Sequence, residues 1–283
     1  MSPIESASTT ASDRNREALR EVARSIRLAT LRAVSAANSS HIGSAFSCVE
    51  LLTALYFRTL KVDPRHPDEP ERDRFVMSKA HAGIALYATL AERGFFPKSW
   101  LNEYYVDGGR LAGHADAYGV PGVEVSAGSL GHGLAISIGM ALRAQRTSQK
   151  WRVFALLSDG ECDEGSTWEA ALLAGHLHLD ALTAIVDCNG LQGMGRTRDV
   201  VDLEPLADKW RSFGWAAREI KGHDWDDILQ AFATLPLEPG RPTAIIARTT
   251  KGKGVSFMED AVLWHYRSPA GDELERAAAE LGG

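Results

Sequence analysis

Three short apolar runs, each closed by a turn signal, constrain this chain more than anything else in it: residues 153–157, 182–187 and 243–247. Strands covered on both faces read as near-continuous hydrophobic runs rather than alternating ones. Helical patterns over 168–177 and 225–235 fill the intervals, with a further strand at 74–77. That alternation predicts a doubly wound α/β fold, a mostly parallel sheet with right-handed crossovers. Ahead of it, Leu19, Val22, Ile26, Ala29 and Val34 recur at helical spacing within 14–37. Further helices are expected over 48–60 and 81–93. A fourth, over 133–145, is so apolar that burial on several sides is expected. Residues 63–73, rich in Pro and Asp, and 101–121, with Gly108, Gly109, Gly113 and Gly119, read as loops.

A chain of 283 residues can form one large α/β unit. A net charge of −6 gives no footprint for nucleic acid or an anionic membrane. No apolar stretch approaches the ~20 residues of a membrane span. Residues 1–13 are polar and Ser/Thr-rich without an apolar signal core, so a flexible leader is expected there, with the domain over 14–283. Cys48, Cys162 and Cys188 form neither a metal-ligand spacing nor an even disulfide framework, which suits a reducing cytoplasm.

Chemistry concentrates where two of the apolar runs stop. Asp159 follows the first, in Ser158-Asp159-Gly160, and Asn189 follows the second, in Asp187-Cys188-Asn189-Gly190-Leu191. Alone, an Asp-Gly turn is as readily a capping carboxylate. A matching Asn one βα unit later changes the weighing. It places a carboxylate and an amide oxygen side by side at strand carboxyl ends, where open α/β sheets bind ligands. Hard oxygens there suit Mg²⁺, which keeps a few protein oxygens and fills the rest with water and diphosphate oxygens. Gly160 permits close backbone approach to a phosphate, and the following helix start favours an anion.

This stretch resembles the thiamin-diphosphate motif of transketolases, with Ser158 at the first glycine of the family pattern. The resemblance extends over 38–56, 73–96, 113–141, 153–197 and 249–269. It implies a thiamin-diphosphate-binding fold, with Asp159, Asn189 and the backbone oxygen of Leu191 as Mg²⁺ ligands. Gly160 would approach the diphosphate, and Gly128 and Leu130 of Gly128-Ser129-Leu130-Gly131-His132-Gly133 would lie under the thiazolium ring.

Four of the nine histidines stand beside small residues at element boundaries: His41, His81, His114 and His265. Imidazoles can donate or accept near neutral pH, so such a cluster can hold hydroxyls and move protons. The resemblance implies His81 near the diphosphate, and His41, His114 and His265 as catalytic contacts to sugar hydroxyls and the donor carbonyl. His132 is balanced between lining the site and packing at a helix start. His66, His176, His178 and His223 read as structural.

The resemblance also implies what this chain lacks. In transketolases the glutamate that activates the cofactor lies on a second, pyrimidine-binding domain, and no second α/β half is visible in this sequence. The expectation is the amino-terminal subunit of a split transketolase, completed by a carboxyl-terminal partner as an α₂β₂ assembly. Glu164 matches a family glutamate that meets its counterpart across the subunit interface; a first-turn carboxylate serving the helix dipole is the plain alternative. Competing expectations are a 2-oxoacid dehydrogenase component, a deoxyxylulose-phosphate-synthase-like enzyme, or a non-catalytic cofactor-binding subunit. A polyol donor needs several hydroxyl partners, and the histidines favour the first reading.

Overall fold

The computed structural model describes residues 11–283. In chain order the helices are α1 (Ala11–Ala37), α2 (Ile42–Ser47), α3 (Val49–Ala54), α4 (Gly83–Arg93), α5 (Gly133–Arg146), α6 (Gly165–His176), α7 (Thr197–Val200), α8 (Leu206–Ser212), α9 (Trp225–Ala233) and α10 (Asp272–Glu280). The strands are β1 (Arg74–Met77), β2 (Val153–Ser158), β3 (Leu182–Cys188), β4 (Leu191–Gln192), β5 (Gly195–Arg196), β6 (Ala216–Lys221) and β7 (Thr243–Arg248).

Five strands form one parallel sheet in the order β1-β2-β3-β7-β6, and β4 and β5 make a small antiparallel hairpin. The apolar runs are buried on both faces because alternate side chains enter different cores. Phe154, Leu156, Ile185 and Ile245 join α1, α3, α4 and α9 on one side. Val153, Ala155, Leu157, Val186 and Ile246 join α5, α6 and α8 on the other. The doubly wound expectation holds, as three layers with helices on both faces of the sheet.

Several local expectations need correction. The leader expected over 1–13 lies outside the described residues up to residue 10, and α1 opens at Ala11, so the helix starts before residue 14. The helix expected over 48–60 is a short α3 followed by a π-helical turn, Leu55–Thr59, and the helix α2 before it went unread. α4 begins at Gly83, after a 3₁₀ turn over Ala80–Ala82. α5 is buried along one face only, through Leu134, Ser137, Ile138 and Ala141. Its Ala135, Ile136 and Gly139 are exposed, as are Leu172 and Leu173 on the adjoining α6. Apolar composition alone misjudged how many sides this helix covers. Among the described residues no helix is long and apolar enough to cross a membrane.

Candidate active site

The pocket opens at the carboxyl ends of β1, β2, β3 and β7, where the chain leaves the sheet. Of the residues singled out in the sequence, His41, His81, His114, Gly128, Leu130, Asp159, Gly160, Asn189, Leu191 and His265 all line it.

One end is oxygen-rich. Asp159 is 2% exposed. Its Oδ1 accepts from Gly160 N at 2.9 Å, and its Oδ2 from Gly190 N at 2.7 Å and Thr197 Oγ1 at 3.1 Å. Burial, and then the neighbouring Asp187 carboxylate, push its pKa up. A buried carboxylate so disfavoured as an anion is a receptor for a cation. Asn189 Oδ1 accepts only from Leu191 N, at 3.1 Å, which leaves one lone pair free. Gly190, at φ 76°, turns the chain so that the Leu191 carbonyl reaches the pocket, where it accepts from Lys251 Nζ at 3.0 Å. A Cβ on Gly160 would come to 3.2 Å from Gln192 Cβ, so a side chain there would press on Gln192. Ser158 has no positive φ, and its Oγ accepts from Glu161 N at 3.2 Å.

No group of three or more His, Cys, Asp or Glu side chains among the described residues could hold a metal. An all-side-chain cage is therefore absent there. One carboxylate, one carboxamide and one backbone carbonyl remain, the sparse oxygen set that suits Mg²⁺ shared with a diphosphate. The residues fit the group that the sequence implied.

The other end is a histidine cluster with His41 at its hub. Its ring centroid lies 5.3 Å from that of His81, 5.7 Å from His114 and 4.9 Å from His265. His41 holds a left-handed backbone, φ 71°, uncommon for a side chain of this size. Its N–H donates to His265 O at 2.9 Å, and Ser40 Oγ lies 2.9 Å from its Nδ1. Burial, then His114, lower the His41 pKa to about 4; burial, then Lys251, lower His265 to about 3. Burial, then Lys79, hold His81 well below its ordinary value. These three imidazoles are neutral at pH 7. Lys251 Nζ donates to His265 Nδ1 at 3.0 Å, which leaves the Nε2–H of His265 free for a ligand.

A buried ion pair lies beneath the pocket. Lys79 pairs with Asp187, both side chains 0% exposed, and its Nζ also donates to Ser44 O at 3.0 Å. Asp187 accepts from Ser47 Oγ at 2.5 Å and from Thr249 Oγ1. The pair joins the ends of β1, β3 and β7 to α2.

Sequence reading missed Lys79, Asp187 and Lys251, and the pocket residues Ser44, Gln192 and Gly193. Lys79, Asp187 and Lys251 sit at or just past a strand carboxyl end, the position where such sheets place ligands, so that rule would have found them. Glu164 does not line the pocket: it is exposed, at the start of α6, with no side-chain capping bond. His132 also points outward, with Nδ1 at 3.0 Å from Leu130 O. His223 is structural, joining Glu50 at 3.1 Å to Thr250 N at 2.8 Å.

Sheet and pocket together define a coenzyme-binding α/β domain. Residues 18–282 match the family described as transketolase, thiamine diphosphate binding domain. The chain is 40% identical to one of the subunits of the apulose-4-phosphate transketolase of Phocaeicola vulgatus, over 95% of this chain and 92% of that protein. It is 41% identical to the 6-deoxy-6-sulfo-D-fructose transketolase subunit SqwG of Clostridium sp., over 93% of this chain and 96% of that one. The solved transketolase from Leishmania mexicana superposes with a TM-score of 0.89 at 28% identity, covering 93% of this chain but 41% of that longer one. The chain belongs to the transketolase family and carries its thiamin-diphosphate-binding domain. It spans about two fifths of the solved transketolase and nearly the whole of the separate subunits.

Proposed function

We propose that this chain is the diphosphate-holding, amino-terminal subunit of a split transketolase, a transferase that moves a two-carbon ketol unit from a ketose phosphate to an aldose. The observation that carries this is one pocket with an oxygen-rich turn pair, Asp159 and Asn189, at one end and four histidines at the other. Thiamin diphosphate, when bound, supplies the electron sink that carbon–carbon cleavage beside a ketone needs. This chain's residues hold and orient. Asp159, Asn189 and the Leu191 carbonyl take Mg²⁺ or another divalent cation. Gly160 and His81 face the diphosphate, and Gly128 and Leu130 support the ring. His41, His114 and the free Nε2–H of His265 hold the donor's carbonyl and hydroxyls. Three of the imidazoles are neutral at pH 7, so they can donate or accept without opposing a cationic ring.

The activating carboxylate belongs, in this reading, to a pyrimidine-binding partner in an α₂β₂ assembly in the cytoplasm. The matched relatives are named as subunits and align with nearly the whole of this chain, which supports a divided enzyme. In this reading Glu164, exposed at the start of α6, would meet that partner.

The test is reconstitution. This chain with a pyrimidine-domain partner should turn over a ketose phosphate and an aldose, and neither of the two should do so alone. Turnover by this chain by itself, or activity of the pair with pyruvate and none with any ketose phosphate, would overturn the reading.

A further inference from the structure

One buried carboxylate beside the pocket has no part in the assignment above. Glu161 is 0% exposed and stands two residues past Asp159, in the same 3₁₀ turn. Its Oε1 accepts from Gly131 N at 2.9 Å and from Ser78 Oγ, and its Oε2 faces Ser158 N at 3.4 Å. Donors from three segments meet on one side chain: the end of β1, which leads to His81; the glycine loop, which carries Gly128 and Leu130; and the metal turn itself. An ionised carboxylate offers about four acceptor positions and no donor, which matches a junction made only of N–H and O–H groups.

The glycine loop has little slack of its own. Gly131 holds φ 81°, and a Cβ there would lie 2.3 Å from Ser166 Oγ and 2.8 Å from Glu164 Cβ. A Cβ on Gly133 would lie 2.2 Å from Ser78 Oγ. Gly131 O accepts from Ser166 Oγ at 3.0 Å. The loop is pressed between the start of α6 and the end of β1, and its link to the metal turn runs through Glu161. If that link is cut, Asp159 keeps its own three hydrogen bonds, while the loop that carries Gly128 and Leu130 loses its hydrogen bond to the metal turn.

We propose that Glu161 is a positioning residue that fixes the ring-supporting loop at Gly128–Leu130 relative to the metal-binding turn at Asp159. The proposal rests on the thiamin diphosphate reading of the pocket. It differs from a general structural role because it predicts that ring and tail respond differently.

Two ligands separate these responses when titrated calorimetrically into the full chain with its partner. Mg²⁺ with inorganic pyrophosphate reports the metal turn; Mg²⁺ with thiamin diphosphate reports turn and loop together. Glu161→Leu, which removes the acceptor of both the Gly131 and the Ser78 bonds, should leave pyrophosphate affinity within about twofold and weaken thiamin diphosphate about tenfold or more, the scale on which groups behind a ligand act. Ser78→Ala removes one of the donors and should act in the same direction, about threefold. Equal losses for both ligands, or thiamin diphosphate affinity unchanged in both variants, would overturn the proposal. If Glu161→Leu does not fold, Ser78→Ala carries the test by the same criterion. A wild-type protein that binds neither ligand would instead contradict the cofactor reading.

Discussion

The two ends of the pocket solve opposite electrostatic problems within one cleft. At the oxygen end, Asp159 is buried as an anion, disfavoured by burial and by Asp187, and satisfied only by dipoles. At the histidine end, burial keeps His41 and His265 neutral far below their ordinary pKa. In the proposed reading the first end gains a cation and, through it, a polyanionic tail. The second is built to exclude charge and offer hydrogen bonds to hydroxyls. Lys251 stands between them, on the Leu191 carbonyl and on His265 at once. Affinity for coenzyme and turnover of sugar should therefore be separable by mutation.

The largest separation is expected from Asp159→Ala. It should weaken Mg²⁺-dependent thiamin diphosphate binding by about 100-fold or more, since loss of a ligand exceeds the ~10–100-fold cost of losing a group behind one. The fold should persist, because the substitution removes a carboxylate that burial disfavours as an anion; circular dichroism and a thermal melt check this. His114→Ala should show the reverse pattern in the reconstituted enzyme. We expect a fall of about 100-fold in kcat/KM for a ketose phosphate, at the low end of acid–base contributions, with coenzyme affinity within threefold (about 0.6 kcal/mol). Lys251→Met should blur the distinction, weakening coenzyme binding and turnover by about tenfold each, the loss of one charge-assisted hydrogen bond at either end.

A smaller effect comes from pH. A histidine whose folded pKa lies below its unfolded value stabilises the fold fully above the unfolded value. That contribution is lost as pH falls toward the folded value. With His41 near 4 and His265 near 3, against 6.5 unfolded, stability should decline as pH falls from 6.5 toward 4. Unfolding near pH 5 should take up to about one proton per histidine from this pair, measurable as the slope of stability against pH. Replacing both with Gln should flatten that slope; an unchanged slope would place the titration elsewhere. Least of all, exposed His176→Ala should alter stability by less than about 0.5 kcal/mol and leave both ligand affinities alone.

The same contrast explains how much the sequence disclosed. The place of the oxygen end was legible because its parts are local: Asp159 and Asn189, the proposed ligands, each stand just past an apolar run that reads as a strand. β1, β2, β3 and β7 were legible for the same reason. β6 was not, because Arg218, Glu219 and Lys221 on this edge strand leave it with no apolar run. The histidine end could be assembled only through family resemblance, since its members come from four distant loops and meet through tertiary packing. The left-handed turn at His41, which makes it the hub, has no sequence signal at a non-glycine residue. Lys79, Asp187 and Lys251 were overlooked because charged residues are rarely buried; Lys79 and Asp187 are buried as a pair, and Lys251 on the Leu191 carbonyl and His265. The apolar face of α5 misled in the other direction: its residues promise a core, and the structure leaves them at the surface.

The most direct measurement is a crystal structure of the chain grown with thiamin diphosphate and Mg²⁺. The account predicts one cation about 2.1 Å from a carboxylate oxygen of Asp159, from Asn189 Oδ1 and from the Leu191 carbonyl, with diphosphate oxygens and water completing an octahedron. A coenzyme seated elsewhere, or held in this cleft with no cation on Asp159 and Asn189, would contradict it.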